Sequence, residues 1–71
     1  MLTIGQSIRQ RRKEAKLTQS EFSELFSVSA STVANWERDK GTLPDILTLW
    51  GIADYFKISI DELIGRVQGE A

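Results

Sequence analysis

The side chains of this sequence best suited to recognising another molecule are amides, hydroxyls and cations between residues 29 and 40. Asn35 offers an amide and Ser31 a hydroxyl, and both groups hydrogen-bond well to the base edges of nucleic acids. Arg38 and Lys40 follow closely and carry the charge that phosphates attract. These residue types favour a nucleic-acid contact, although a solvated helix face of the same composition is the alternative.

Catalytic chemistry is poorly represented, because the 71 residues include no histidine and no cysteine. The commonest general bases, nucleophiles and soft metal ligands are therefore missing. The nearest carboxylate pairs, Glu21 with Glu24 and Asp61 with Glu62, are better explained as capping and solvent-facing residues. We expect no enzymatic activity, no metal, no cofactor and no small-molecule ligand.

Charge is distributed unevenly along the chain, although the formal net charge is only −1. Five basic residues and one acidic residue lie within residues 1–20, whereas residues 41–71 hold two basic and five acidic ones. The cations of the N-terminal segment are Arg9, Arg11, Arg12, Lys13 and Lys16. A basic end can face a polyanion even when the whole chain is mildly acidic. For any one of these side chains, an ordinary solvated position is the alternative.

The composition is that of a globular protein, with 41% hydrophobic and 27% charged residues. The length predicts a single small domain over residues 1–71, which neither a disulfide nor a zinc site can stabilise. No apolar run reaches the roughly twenty residues that a membrane span needs. The first eight residues lack the features of a secretory signal. We expect a cytoplasmic protein without a membrane partner.

Capping sequences mark the helix starts. Thr18 followed by Glu21 has the spacing of a capping box, and Ser59 followed by Glu62 repeats it. Ser29 marks a third start and Asp45, after a proline, a fourth. The apolar spacing between these caps predicts helices near 4–15, 19–26, 30–37 and 46–56 and a fifth from residue 60. The predicted fold class is all-α, a compact bundle of five short helices.

The apolar residues that define these helices are expected to supply the core. They are Ile4, Ile8, Ala15, Phe22, Leu25, Phe26, Val33, Trp36, Ile46, Leu49, Trp50, Ala53, Phe56, Ile60, Leu63 and Ile64. The second and third helices are joined so tightly, through residues 27–29, that they must cross at a steep angle. Such a pair is a helix-turn-helix unit, and the outward positions of its second helix are small or polar. A helix end of this kind fits the major groove of DNA.

Several separated segments resemble the phage repressor/Cro-type helix-turn-helix, also called Xre-type. They are residues 17–22 (LTQSEF), residues 28–37 (VSASTVANWE) and the stretch from Pro44 to Ile64, which includes ISIDEL at 58–63. The resemblance covers about residues 4–66 and implies a lambda-repressor-like fold and double-stranded DNA as the partner. On the residues of this chain, it implies DNA contacts for Thr18, Gln19, Ser29, Ala30, Ser31, Thr32, Asn35, Arg38 and Lys40.

The resemblance also implies an ion pair between Arg12 and Glu37, which ties the first helix to the end of the third. We expect its main role to be structural, a partly buried clamp, with a phosphate contact by Arg12 as the alternative. The chain departs from the family at three helix ends, where Lys16, Ser27 and Lys57 replace the usual glycine. A left-handed backbone there costs a non-glycine residue roughly 1 kcal/mol. Either the turns close differently or stability is lost at each position.

On the fourth helix, Leu47, Gly51 and Tyr55 lie at i, i+4 and i+8, where similar proteins mostly carry polar groups. We interpret this face as a candidate homodimer interface, and an extra core contact is the alternative. The expected function is a transcriptional regulator, of the phage repressor or restriction–modification controller type, that binds a palindromic operator as a homodimer. The alternative is a protein-interaction module, such as an antitoxin or an adaptor, that uses this apolar face.

Overall fold

The computed structural model describes residues 3–41 and 43–64, which form five helices and no strand. The helices are α1 (Ile4–Glu14), α2 (Gln19–Leu25), α3 (Ala30–Glu37), α4 (Ile46–Phe56) and α5 (Ile60–Ile64). The predicted all-α fold is confirmed, and each predicted helix end lies within one residue of the observed one. The single-domain prediction extends over residues 1, 2, 42 and 65–71, which lie outside the described part of the chain.

Side-chain caps fix where the helices begin. Thr18 accepts a hydrogen bond from the Glu21 amide at 3.0 Å, and the Glu21 carboxylate accepts from the Thr18 amide at 2.8 Å. The same reciprocal contacts join Ser59 and Glu62 ahead of α5. At the start of α4, hydrogen bonds from Thr48 lower the pKa of the Asp45 carboxyl below its ordinary value of 3.8.

The core lies where α1, α2, α3, α4 and α5 meet. Its buried hydrophobic residues are Ile8, Phe22, Val33, Trp36, Leu49, Ile52, Ala53 and Leu63. Partly buried side chains surround them, among them Ile4, Leu17, Phe26, Val28, Phe56, Ile58 and Ile60. None of the helices in the described ranges is both long enough and apolar enough to cross a membrane.

Part of the predicted core is wrong. Ile46 and Trp50, expected to face inward on α4, are 59% and 62% exposed, and the buried face of that helix includes Ile52 instead. Because α4 is apolar on nearly every side, its spacing does not distinguish the buried face from the exposed one. Leu25 and Ala15 are also exposed. They lie at the last turns of α2 and α1, where the chain leaves the core.

Four helix ends have the left-handed backbone typical of glycine, although the residue at each of them is not glycine. Lys16, Ser27 and Lys57 have φ values of 61°, 57° and 57°, and Asp39 joins them at 57°. After α1, the amides of residues 17 and 16 donate to the carbonyls of residues 12 and 13, the two bonds of a Schellman motif. The ends of α2, α3 and α4 repeat these bonds. The turns therefore close in the usual left-handed form, so the expected stability cost stays a prediction for these three helix ends, and Asp39 is a fourth position of the same kind.

Replacing Lys57 by glycine should stabilise the protein by about 0.5–1 kcal/mol, because the left-handed backbone is then free of the Cβ clash. Urea denaturation followed by circular dichroism measures this difference. Lys57→Ala is the control, since it removes the same side chain and keeps the clash. If the alanine variant gained as much stability as the glycine variant, the left-handed backbone would not be the cause.

Candidate nucleic-acid interface

The N-terminal part of α3 projects from the protein surface. Ser31 and Asn35 are exposed, whereas Val33 and Trp36 on the opposite side are buried in the core. The turn before α3 is closed by the Val28 amide, which donates to the Ser23 carbonyl at 3.1 Å, and the small Ser23 side chain is buried with its hydroxyl donating to the Ser20 carbonyl at 2.7 Å. The exposed tip of α3 is thus small, polar and supported from behind by the core.

The hydroxyl groups at this tip are linked to one another. The Ser29 hydroxyl caps α3 by accepting from the Thr32 amide at 3.1 Å. It also lies 2.9 Å from the Thr32 hydroxyl and 3.1 Å from that of Ser31. Ser29 and Thr32 therefore hold the helix start together, while Ser31 is exposed and Ala30 presents a methyl group that is only half buried.

Asn35 is oriented by the residue that follows α3. One Nη atom of Arg38 donates to Asn35 Oδ1 at 3.1 Å. Because a guanidinium group can only donate, this contact fixes which end of the amide faces Arg38. The amide nitrogen of Asn35 faces away. Because Asn35 Oδ1 has a second lone pair, the amide can still accept from and donate to an adenine while Arg38 braces it.

A buried ion pair fixes the opposite, C-terminal end of α3. Arg12 Nε donates to Glu37 Oε2 at 2.6 Å and Arg12 Nη2 to Glu37 Oε1 at 3.0 Å, the two-point geometry of a strong guanidinium–carboxylate pair. Only 10% of the Arg12 side chain and 3% of the Glu37 side chain are exposed. The hydrogen bond to Glu37 raises the pKa of Arg12, against the opposing effect of burial. The geometry is that of the structural clamp, which fixes the end of α3 on α1.

Two further groups satisfy this pair and join it to α2. The Gln19 amide nitrogen donates to Glu37 Oε1 at 3.1 Å, and Arg12 Nη1 donates to the Leu17 carbonyl at 2.7 Å. Gln19 is therefore held against the ion pair by its nitrogen, so its carbonyl oxygen remains for other contacts. The Thr18 amide is used by Glu21, which leaves the Thr18 hydroxyl proton for a phosphate.

A polar groove beside the C-terminal half of α3 brings together residues from α1, α2 and α3. It is lined by Arg9, Arg12, Gln19, Ala34, Glu37 and Arg38. Arg9 and Arg38 are exposed at this groove, whereas the Arg12 charge is compensated by Glu37. Lys40 is exposed beyond the end of α3. The exposed cations thus lie beside the C-terminal half of α3 and beyond its end, next to its exposed polar face.

Asp39 has a structural role that the sequence did not predict. Its carboxylate accepts hydrogen bonds from Thr3 and from the Gly5 amide at the start of α1. The capping box of α1, formed by Thr3 and Gln6, was missed as well. The Thr-x-x-Gln spacing of residues 3–6 carried the information for that cap.

The residues of the candidate dimer face on α4 differ in their surroundings, because some face outward and others contact the same chain. Leu47 is 72% exposed, and together with exposed Ile46 and Trp50 it forms what we call the α4 apolar surface. Tyr55 packs its ring against Phe26 and Phe56 of the same chain, so it has partners within the protein. An added Cβ at Gly51 would lie 3.8 Å from Phe26, an ordinary contact distance. Gly51 thus also faces the chain's own α2.

The helix-turn-helix family HTH_3 matches residues 8–63. The chain belongs to this Xre-type helix-turn-helix family. It is 38% identical over 65 residues to the immunity repressor protein of Bacillus phage phi105, covering 92% of this chain and 44% of that protein. The chain spans between 30% and 57% of the length of the curated relatives it matches.

Solved structures share the fold. The P22 c2 repressor, crystallised with a synthetic operator, superposes with a TM-score of 0.79 at 30% identity, over 90% of this chain and 96% of that one. The predicted lambda-repressor-like fold is therefore confirmed. A similar unit also forms 32% of hydroxypropylphosphonic acid epoxidase from S. wedmorenis, with a TM-score of 0.75 at 26% identity. The shared fold alone does not decide what a protein does.

Removing the Glu37 carboxylate should destabilise the protein severely, because Arg12 is then left buried without a counter-charge. We expect Glu37→Ala to lose about 3–5 kcal/mol, measured by urea denaturation. The matched control is Glu24→Ala, an exposed glutamate whose loss should change stability by no more than about 0.5 kcal/mol. Replacing both partners, as in Arg12→Met with Glu37→Leu, should recover most of the loss. Equal effects of Glu37→Ala and Glu24→Ala would contradict the role of the buried pair.

Proposed function

We propose that this protein binds double-stranded DNA sequence-specifically through the N-terminal part of α3 and regulates transcription. The observation that carries the proposal is the exposed, small and polar N-terminal part of α3, a helix whose other end is fixed by a buried ion pair and flanked by exposed cations. A rigid polar helix end enters the major groove, while cations on either side contact phosphates. The similar P22 c2 repressor was crystallised in complex with a synthetic operator, which supports DNA as the partner.

The residues proposed to contact DNA fall into two groups. Asn35 and Ser31 face base edges, with the Ala30 methyl group placed for a thymine. Gln19, Thr18, Arg38 and Lys40 contact the sugar-phosphate backbone. Ser29 and Thr32 act mainly by capping α3, because their hydroxyl groups are already engaged there.

So few base-reading groups on one subunit favour binding as a dimer, which doubles the recognition surface. We propose a homodimer on a near-palindromic operator, with half-sites about 34 Å apart. The α4 apolar surface supports this proposal, because a stable monomer seldom leaves Leu47 and Trp50 exposed side by side. The same surface also favours the second candidate, a protein-interaction module such as an antitoxin or an adaptor.

Selection of bound fragments from a random duplex pool tests the DNA proposal. We expect a near-palindrome, with an affinity that falls steeply as salt rises because phosphate contacts release counterions. Asn35→Ala should relax the preference at one base pair of each half-site by about 1–3 kcal/mol. Gln10→Ala, which removes an exposed amide from α1, is the control and should leave the preference unchanged. An unenriched pool with no salt-dependent binding would favour the protein-interaction module.

Sedimentation equilibrium over a range of concentrations tests the homodimer. We expect the mass to approach twice the 8.0 kDa of the single chain and Leu47→Lys to keep it monomeric, because a charge in an apolar contact is costly. Leu25→Lys is the control, since Leu25 is an exposed leucine of α2 outside the α4 apolar surface. A wild-type mass that stays at that of one chain would refute the dimer.

A further inference from the structure

A second connection joins α1 to the end of α3, at the opposite end of α1 from Arg12. The Asp39 carboxylate accepts from the Thr3 hydroxyl at 2.8 Å through one oxygen and from the Gly5 amide at 3.2 Å through the other. Asp39 itself occupies the left-handed position that closes α3, where its amide donates to the Trp36 carbonyl at 3.0 Å. One residue therefore both ends α3 and binds the start of α1.

The two helices are in direct contact at this point. A Cβ added to Gly5 would lie 2.0 Å from the Trp36 carbonyl oxygen and 2.7 Å from Asp39 Oδ1. Gly5 is buried, and its lack of a side chain allows the backbone of α1 to approach the end of α3. The close approach is independent of the hydrogen bonds and places the same two segments together.

The charge of Asp39 suits its location. The first turn of α1 has no acidic residue of its own, whereas its last turn carries Arg11, Arg12 and Lys13. The Asp39 carboxylate supplies a negative group beside the amides at the start of α1, where a helix stabilises an anion. The contact between Asp39 and α1 is thus favoured by charge as well as by hydrogen bonding.

We propose that Asp39 is a positioning residue for the DNA interface, a clamp that sets the direction of the segment leaving α3. This inference rests on the proposed function. Asp39 lies between Arg38 and Lys40, the exposed cations assigned to the DNA backbone. The Lys40 amide donates to the Asn35 carbonyl at 2.9 Å, so the segment that the clamp fixes is also bonded to the base-reading turn of α3.

Asp39 differs in this respect from the other residues with a left-handed backbone. At Lys57 or Ser27, glycine is expected to relieve strain while the packing between helices stays intact. At position 39, glycine relieves the same strain and removes the clamp. Glycine at position 39 therefore separates the relief of backbone strain from the positioning of the cations. Asp39→Gly should remain folded, whereas Arg38 and Lys40 should lose their fixed direction.

The test compares Asp39→Gly, Asp39→Asn and wild type for binding to the selected operator as a function of salt. We expect Asp39→Gly to bind about tenfold more weakly. The slope of log affinity against log salt should fall by about one for each phosphate that the variant no longer binds. Asp39→Asn should bind at least as well as wild type, because its amide oxygen can accept from Gly5 and its amide nitrogen can donate to Thr3.

A purely electrostatic effect gives the opposite result. If Asp39 acted only by its negative charge, removing it would strengthen binding to a polyanion in both variants alike. Tighter or unchanged binding of Asp39→Gly would therefore overturn the clamp. If wild type showed no salt-dependent binding to any duplex, the proposed function itself would fail, which is a distinguishable result.

Two additions keep the test decisive. Each variant is also made in a Lys57→Gly background, so that any loss of stability at position 39 does not abolish folding, and circular dichroism confirms helix content.

Arg38→Ala is then combined with Asp39→Gly. If the clamp acts through Arg38, the double variant should bind little more weakly than Asp39→Gly alone. If the losses of affinity caused by Arg38→Ala and Asp39→Gly were fully additive, Asp39 would not act through Arg38. The proposal that Asp39 positions this cation would then be overturned.

Discussion

The buried pairing of Arg12 with Glu37 is the interaction on which the rest of the structure depends. Charges so deeply buried are tolerated only when every donor and acceptor is used, and this pair recruits Gln19 and the Leu17 carbonyl to complete its hydrogen bonding. Three helices and the turn between two of them are thereby fixed around one charged centre. The direction of α3 follows from this centre, and so does the presentation of its polar tip.

The first helix supports α3 at both ends of the contact between them. Near the end of α1, Arg12 holds the last turn of α3. At the start of α1, Gly5 lies against Asp39 in the segment that follows α3. A helix of eight residues has little stability of its own. Its rigidity comes from these contacts and from burial of Val33 and Trp36, not from its intrinsic helix propensity. The interface is therefore only as rigid as the packing of α1 against α3.

Much of this arrangement could be predicted from the sequence, because local rules determine it. Capping residues such as Thr18, Ser29 and Asp45 mark where helices start, and Val33 and Trp36 show which side of α3 faces the core. The family resemblance identified the partnership of Arg12 with Glu37. The face of α4 could not be predicted, since a helix that is apolar on nearly every side has too little polar surface to mark its exposed face. The role of Asp39 was equally hidden, because its partners Thr3 and Gly5 are distant in sequence and become neighbours only through the packing of α1.

Lys16, Ser27 and Lys57 have a left-handed backbone, and the stability lost there affects how easily the protein is degraded in a cell. Each leaves about 1 kcal/mol of attainable stability unrealised, which corresponds to roughly a fivefold larger unfolded fraction. Together they raise that fraction by about two orders of magnitude, and unfolded chains are what proteases degrade. Glycine at these three positions would therefore lower the fraction of the protein that is open to degradation.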